Sequence, residues 1–280
     1  MDAYRRRKVI DVGARAACVA ATLLAVVPLV SVLAYVVVRG AAGLSWSFFT
    51  ALPQPVGEAG GGVANAILGS LQLVGIACVL GVPVGVLAGI YLAEYGRGRF
   101  ATAVRYAADV MSGIPSIAVG IFVYTLLVLS MRHFSALAGG VALAVLMLPT
   151  VTRTTEELLK LVPDSLREAG LALGVPRWRV VLKVVLRTGA PGIATGIMLA
   201  VARAAGETAP LLFTAFNNRF WSASLVEPIA SLPVQIFTYA VSPYEEWHRQ
   251  AWAAALVLVV LVLLMNAGAR VLTRARGRSR

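Results

Sequence analysis

Long stretches without a single charge constrain this chain more than any other feature. They run Ala16–Val38, Val63–Ala93, Val110–Met131, Phe134–Val151 and Ala251–Ala269; a sixth, Gly189–Ala215, is interrupted by Arg203 and Glu207 alone. A helix rising about 1.5 Å per residue needs roughly 18 to 20 apolar residues to reach across hydrocarbon, and most of these stretches do. A soluble chain of 280 residues would need far more polar surface: 14% of residues here are charged, against about 25% in globular domains. The expected fold class is therefore an all-α integral membrane protein with six transmembrane helices. The second stretch is too long for one straight span, so it tilts or leaves its first turn in the outer interface. The fourth is the shortest.

Charge placement orients the spans. With the N-terminus in the cytoplasm, 20 of the 25 Lys and Arg fall in inside segments, and Arg39, Arg132, Arg219 and Arg249 fall outside. That asymmetry places both termini in the cytoplasm of a multi-pass protein of the cell (inner or plasma) membrane. The net charge of +12 is thus a topology signal, and nucleic-acid binding is excluded for want of a folded domain to display a basic face. The organisation expected is a cytoplasmic tail 1–15, a retained signal-anchor span 16–38, and a transmembrane region 63–269. That region holds a cytoplasmic loop 150–188 and an external loop 216–250, and a basic tail 270–280 follows. The first apolar run, at 23 residues, exceeds the roughly 7–15 of a cleavable signal core. Cys18 and Cys78 lie within spans and read as small buried apolar residues.

The loop 150–188 is the one sizeable polar segment on the inside. Thr152–Leu161 extends the fourth helix until Pro163 stops it. Ser165-Leu166-Arg167-Glu168 has capping-box spacing, which predicts a short helix from there to about Leu173, closed by Gly174 in the left-handed conformation. Pro176 is suited to start another helix. In that helix Arg179, Lys183 and Arg187 form a basic stripe opposite Trp178, Val181, Leu182 and Val185, fit to lie along anionic lipid headgroups. Beneath span four, Arg153, Glu156, Glu157 and Lys160 read as a solvated face with internal pairs.

Arg203 and Glu207 stand out because each costs about 2.5–3.5 kcal/mol at a span centre. Four apart, they project from one helix face and can pair. A purely structural pair and a place on a transport route both fit. Gly206 and Pro210 weaken the same span and allow a bend there; Gly113 and Pro115 do so in span three. In the loop 216–250, Phe220, Trp221, Phe237, Tyr239, Tyr244 and Trp247 either dock an external protein or sit in the interfacial aromatic belt.

Glu168-Ala169-Gly170, three residues and then Gly174 resemble the signature loop of ABC importer permeases. The departures are Gly170, where a second alanine is common, and Arg187 after Leu186, where a proline is common. Ser112-Gly113-Ile114-Pro115-Ser116-Ile117, Leu148-Pro149-Thr150, Ala202-Arg203-Ala204-Ala205-Gly206-Glu207-Thr208-Ala209-Pro210 and Ser231-Leu232-Pro233-Val234-Gln235 are similar to the permeases of high-affinity phosphate importers. The resemblance implies a type I ABC importer permease fold whose loop helix, carrying Glu168, Ala169, Gly170 and Gly174, couples to an ATPase. It also implies a substrate pathway past Arg203, Glu207 and Thr208. Its implied partners are a second homologous permease in a heterodimer, two ATPase subunits and an extracytoplasmic phosphate-binding protein. No Gly-x-x-x-x-Gly-Lys-Ser/Thr loop is present, so the chain is expected to be no enzyme and to hold no cofactor, with ATP and Mg bound by the ATPase subunits. The rival readings are a permease for another oxyanion (phosphonate, sulfate or molybdate) and a proton-coupled secondary transporter.

Overall fold

The computed structural model describes residues 3–55, 58 and 60–278, the side chains of 269–278 excepted. Those of the basic tail 270–280 therefore lie outside the described residues. Among the described residues all regular structure is helical. In chain order the helices of six or more residues are α1 (Ala3–Ala41), α2 (Ala64–Tyr95), α3 (Gly98–Gly113), α4 (Ser116–Met131), α5 (Ala136–Lys160), α6 (Asp164–Ala172), α7 (Arg177–Ala205), α8 (Ala209–Thr214), α9 (Leu232–Ala240) and α10 (Glu245–Arg278); a five-residue turn of helix, Trp46–Thr50, lies between α1 and α2. Helices α1, α2, α5, α7 and α10 are each long and apolar enough to cross a membrane, and α3 with α4 forms a sixth, broken span bent by 106°.

Two expected spans are corrected. The third is two helices, because Pro115 has no N–H to donate and pushes Ile114 out of helical geometry, to φ −73°, ψ 131°. The fifth ends at Ala205 rather than Ala215, and a separate short helix, α8, follows. Toward its other end α7 already starts at Arg177, and Val181–Val185 widens into a π turn. Val180, Val181 and Val185 face inward there while Trp178 and Leu182 are exposed, so the buried stripe is rotated from the expected one.

The bundle is organised on α2 against α5. Gly81, Gly85 and Gly89 recur every fourth residue on one face of α2, where the two backbones approach closely. A Cβ at Gly85 would stand 2.8 Å from Val151 Cβ, and one at Gly89 2.5 Å from Thr155 Cβ. Leu73, Leu143, Met147, Val151, Ala204 and Leu211 fill the core around this seam. Gly85→Val is expected to destabilise the bundle by about 1–3 kcal/mol through overpacking. A lower midpoint in a detergent thermal-shift assay, scored by gel filtration, is the check.

By contrast α1 is mostly bare. Val36 and Gly40 are its buried residues, and Gly40 lies against Trp252 and Leu256 of α10. Cys18 is exposed, not buried as expected, while Cys78 is half-buried.

The loop 216–250 is partly folded into the bundle. It contains α9, whose Leu232, Val234, Gln235 and Tyr239 are buried, and Tyr239 stacks on Trp247 at 4.6 Å. Polar residues of α2 hold it down: Asn65 donates to the Asn218 carbonyl at 2.6 Å, and the Leu232 amide donates to Ser70 at 2.7 Å. Phe220, Trp221, Phe237 and Tyr244 remain exposed.

Candidate functional site

Two regions carry the charged and strained features, and α7 runs between them. At its far end the helix stops at Ala205; the Gly206 amide donates to the Arg203 carbonyl at 3.1 Å and the Glu207 amide to that of Ala204 at 3.2 Å. Glu207 and Thr208 therefore sit in a break, not on a continuing helix face as the spacing suggested. The pair still forms, with Arg203 Nε 3.6 Å from a Glu207 carboxylate oxygen. Arg203's side chain is 54% exposed and Glu207's 16%, so the guanidinium points to a face that this chain's own helices leave open. Thr208 precedes α8, its carbonyl accepting from Leu211 and Leu212.

Pro210, at the first turn of α8, is buried against α4 at Gly120, where a Cβ would come within 2.6 Å of Pro210 Cα. That contact ties the broken third span to the break in the fifth. Gly206, at φ −95°, meets no close neighbour, and Gly113 lies in open space at the end of α3.

At the near end stands α6. It begins at Asp164 with Pro163 as its cap, at φ −58°, ψ 138°, and no side chain caps it. The expected capping box is thus not formed: the preset proline starts the helix early enough that Ser165 already lies inside the first turn. Glu168 is consequently not tied back to an amide. It and Ala169 are exposed, as are Leu161, Leu171 and Leu173.

The C-terminal end of α6 closes with a left-handed Gly174 at φ +74°. The Gly174 amide donates to the Leu171 carbonyl at 2.9 Å and the Val175 amide to that of Gly170 at 3.2 Å, the paired bonds of a Schellman cap. Gly170 itself faces Val180, which a Cβ would approach to 2.8 Å. Glycine at that position lets α6 lie directly on the start of α7.

Beneath α6 is an ion pair that the sequence reading did not select. Glu94, in a π turn at the end of α2, has its side chain 3% exposed. Arg167 reaches it with Nη2 at 2.6 Å and Nε at 3.0 Å, and also donates to the Leu159 and Val162 carbonyls and to Asp164. The Glu94 carboxylate, first among these partners, raises the Arg167 pKa above its ordinary value. Arg177 donates to the Glu94 carbonyl, so both helices flanking the loop bend are fixed to α2.

A second cluster lies alongside. Glu156 is fully buried and receives Arg105 at 2.6 Å, Lys160 at 2.6 Å and Arg153 at 3.4 Å, while Arg153 also pairs with Asp109. Glu156 is therefore a buried hub and not part of a solvated face. The reason is that α3, invisible to helical spacing within α5, folds over it.

Residues 81–278 match the family described as binding-protein-dependent transport system inner membrane component. The chain belongs to this family. Its relatives include the phosphate transport system permease protein PstA of Yersinia pestis, 53% identical over 87% of this chain and 83% of that protein. PstA of Xylella fastidiosa (strain Temecula1) is 46% identical over 96% and 94%. Among solved structures, a bacterial alginate ABC transporter chain superposes with a TM-score of 0.69 at 14% identity, covering 96% of both chains. A chain of the inward-facing MetNI methionine ABC transporter does so with a TM-score of 0.60 at 21% identity, covering 76% of this chain and 93% of that one. At these identities the structures establish the fold, that of type I ABC importer permeases.

Within this permease fold, Glu94 had one weak sequence signal: an acid directly ending a 31-residue apolar run, where a charge ordinarily snorkels to water. Arg167 was visible only as filler in the supposed capping box.

Proposed function

We propose that this chain is one permease subunit of an ATP-driven importer of inorganic phosphate, with α6 as its coupling helix and the break at Arg203–Thr208 on the substrate pathway. The observation that carries the reading is the Arg203–Glu207 pair at the end of α7, in a chain whose relatives are named phosphate transport system permeases. A guanidinium offers a planar fork to phosphate oxygens at any physiological pH. Glu207 competes for that fork, which keeps the anion from being held too tightly to leave.

Import of an anion against an inside-negative potential opposes about 2.3 kcal/mol per charge per 100 mV. ATPase subunits supply that work in this reading, binding ATP and Mg themselves and engaging the outward face of α6 around Glu168 and Ala169. Helix α7 starts beside α6 and spans about 40 Å at 1.5 Å per residue, so a displacement of the coupling helix is delivered as a rigid movement to Arg203. A second, related permease covers the open face of Arg203 in a heterodimer. An extracytoplasmic phosphate-binding protein delivers the cargo past Phe220 and Trp221, and both termini of this chain lie in the cytoplasm.

The experiment is phosphate uptake in proteoliposomes holding both permeases, the ATPase subunits and the binding protein. Glu168→Lys is expected to lower uptake at least about tenfold, by placing a cation where α6 offers an anion to its partner. ATP-driven uptake equal to wild type in that variant would remove α6 from the coupling role.

A further inference from the structure

We propose that the polar cavity between the foot of α2 and the coupling helix binds a phosphate group, either as the headgroup of an anionic lipid or as inorganic phosphate. The cavity encloses about 340 Å³ and is lined by Arg97, Lys160, Arg167 and Arg177, with Glu94 and Asp164 as its acids. Most of its charge is already spoken for. Arg167 serves Glu94 and Asp164, and Lys160 serves Glu156. Arg97 and Arg177 make no ion pair among the described residues, which leaves two guanidinium groups facing one polar space.

Arg177 is held ready for a ligand. It donates to the Glu94 carbonyl and lies over the Tyr95 ring, 5.0 Å from its centroid. Arg97 follows Gly96 directly beyond α2 and is exposed. Two guanidinium forks lining one cavity suit the anionic oxygens that a phosphodiester headgroup and inorganic phosphate share, which can take charge-assisted bonds from both.

The surroundings set the level of the site. Tyr95, Phe100 and Trp178 are exposed close by in the chain, as aromatic side chains are at the headgroup boundary. Basic pockets between helices on the cytoplasmic side are where acidic headgroups seat. A phosphate bound here joins the end of α2 to the start of α7 and so holds α6, which packs between them, against the bundle. The site is separate from the cargo pathway and rests on the proposed function only through the use of ATPase activity as its readout.

The test uses the assembled transporter in nanodiscs. ATPase activity is followed while inorganic phosphate is titrated into phosphatidylcholine discs, and in a second series while phosphatidylglycerol replaces phosphatidylcholine. One series is expected to change wild-type activity at least about twofold; a response to the ion that Arg97→Gln shifts and the pathway variant Arg203→Ala retains identifies free phosphate in the cavity, and a response to the lipid identifies the headgroup. Arg97→Gln shifts that midpoint about tenfold, the loss of one charge-assisted contact, and Arg97→Lys falls between. Maximal phosphate uptake in Arg97→Gln stays within about twofold of wild type, whereas failure of the cargo assignment would appear as lost uptake in pathway variants. No wild-type response in either series, or equal midpoints in wild type and Arg97→Gln, overturns the site. Dissociation of the ATPase subunits from Arg97→Gln also overturns it, because the cavity would then be the seat of an acidic side chain from that subunit.

Discussion

Replacing Arg203 with alanine is expected to lower phosphate uptake by the assembled transporter at least about 100-fold. Two charge-assisted hydrogen bonds to an anion are together worth about 3 kcal/mol or more, and each 1.36 kcal/mol is a factor of ten in rate. Arg203→Lys keeps the charge but loses the fork, so it should retain an intermediate rate. Assembly should survive, since Arg203's carboxylate partner among the described residues, Glu207, sits in a break that α8 and Pro210 hold independently. The measurement is radiolabelled phosphate uptake beside gel filtration of the purified complex. Wild-type uptake in Arg203→Ala would take Arg203 off the pathway and leave the pair as a clasp at the helix break.

Glu94→Ala should separate ATP hydrolysis from transport. Removing this carboxylate leaves Arg167, 18% exposed, without its main partner, and breaking a buried ion pair from one side costs about 3–5 kcal/mol. The Glu94 side chain is buried at the end of α2 against Arg167 of α6, so its effect passes through the seating of the coupling helix. ATP consumed per phosphate moved is expected to rise several-fold, with the ATPase subunits still bound. Exchanging the charges, as Glu94→Arg with Arg167→Glu, should recover part of the coupling, which a simple loss of folding would not. An unchanged ratio in Glu94→Ala would show that α6 keeps its place through the Gly170–Val180 contact and its Schellman cap alone.

Gly170 shows how the tertiary setting alters a local reading. As a helix residue it is less favourable than alanine by up to about 1 kcal/mol. In the fold, the missing Cβ is what admits Val180. The gain belongs to packing across a loop and leaves no trace in helix propensity.

Chain chemistry alone was enough to specify a bundle of membrane-spanning helices, the bend at Gly113–Pro115, the left-handed stop at Gly174 and the presence of an arginine–glutamate pair near the end of the fifth span. Each depends on a property that acts over a few residues: hydropathy over one span length, the missing N–H of proline, the freedom of glycine at positive φ, the cost of burying a charge. The break that takes Glu207 off the helix, the burial of Glu156 under α3, the helix α9 inside the external loop and the Glu94–Arg167 pair came from the folded bundle. These join residues 51 to 73 positions apart, or set backbone choices that a neighbouring helix makes for the chain. Burial and partnership at that separation depend on which helices pack together, and no local pattern records it.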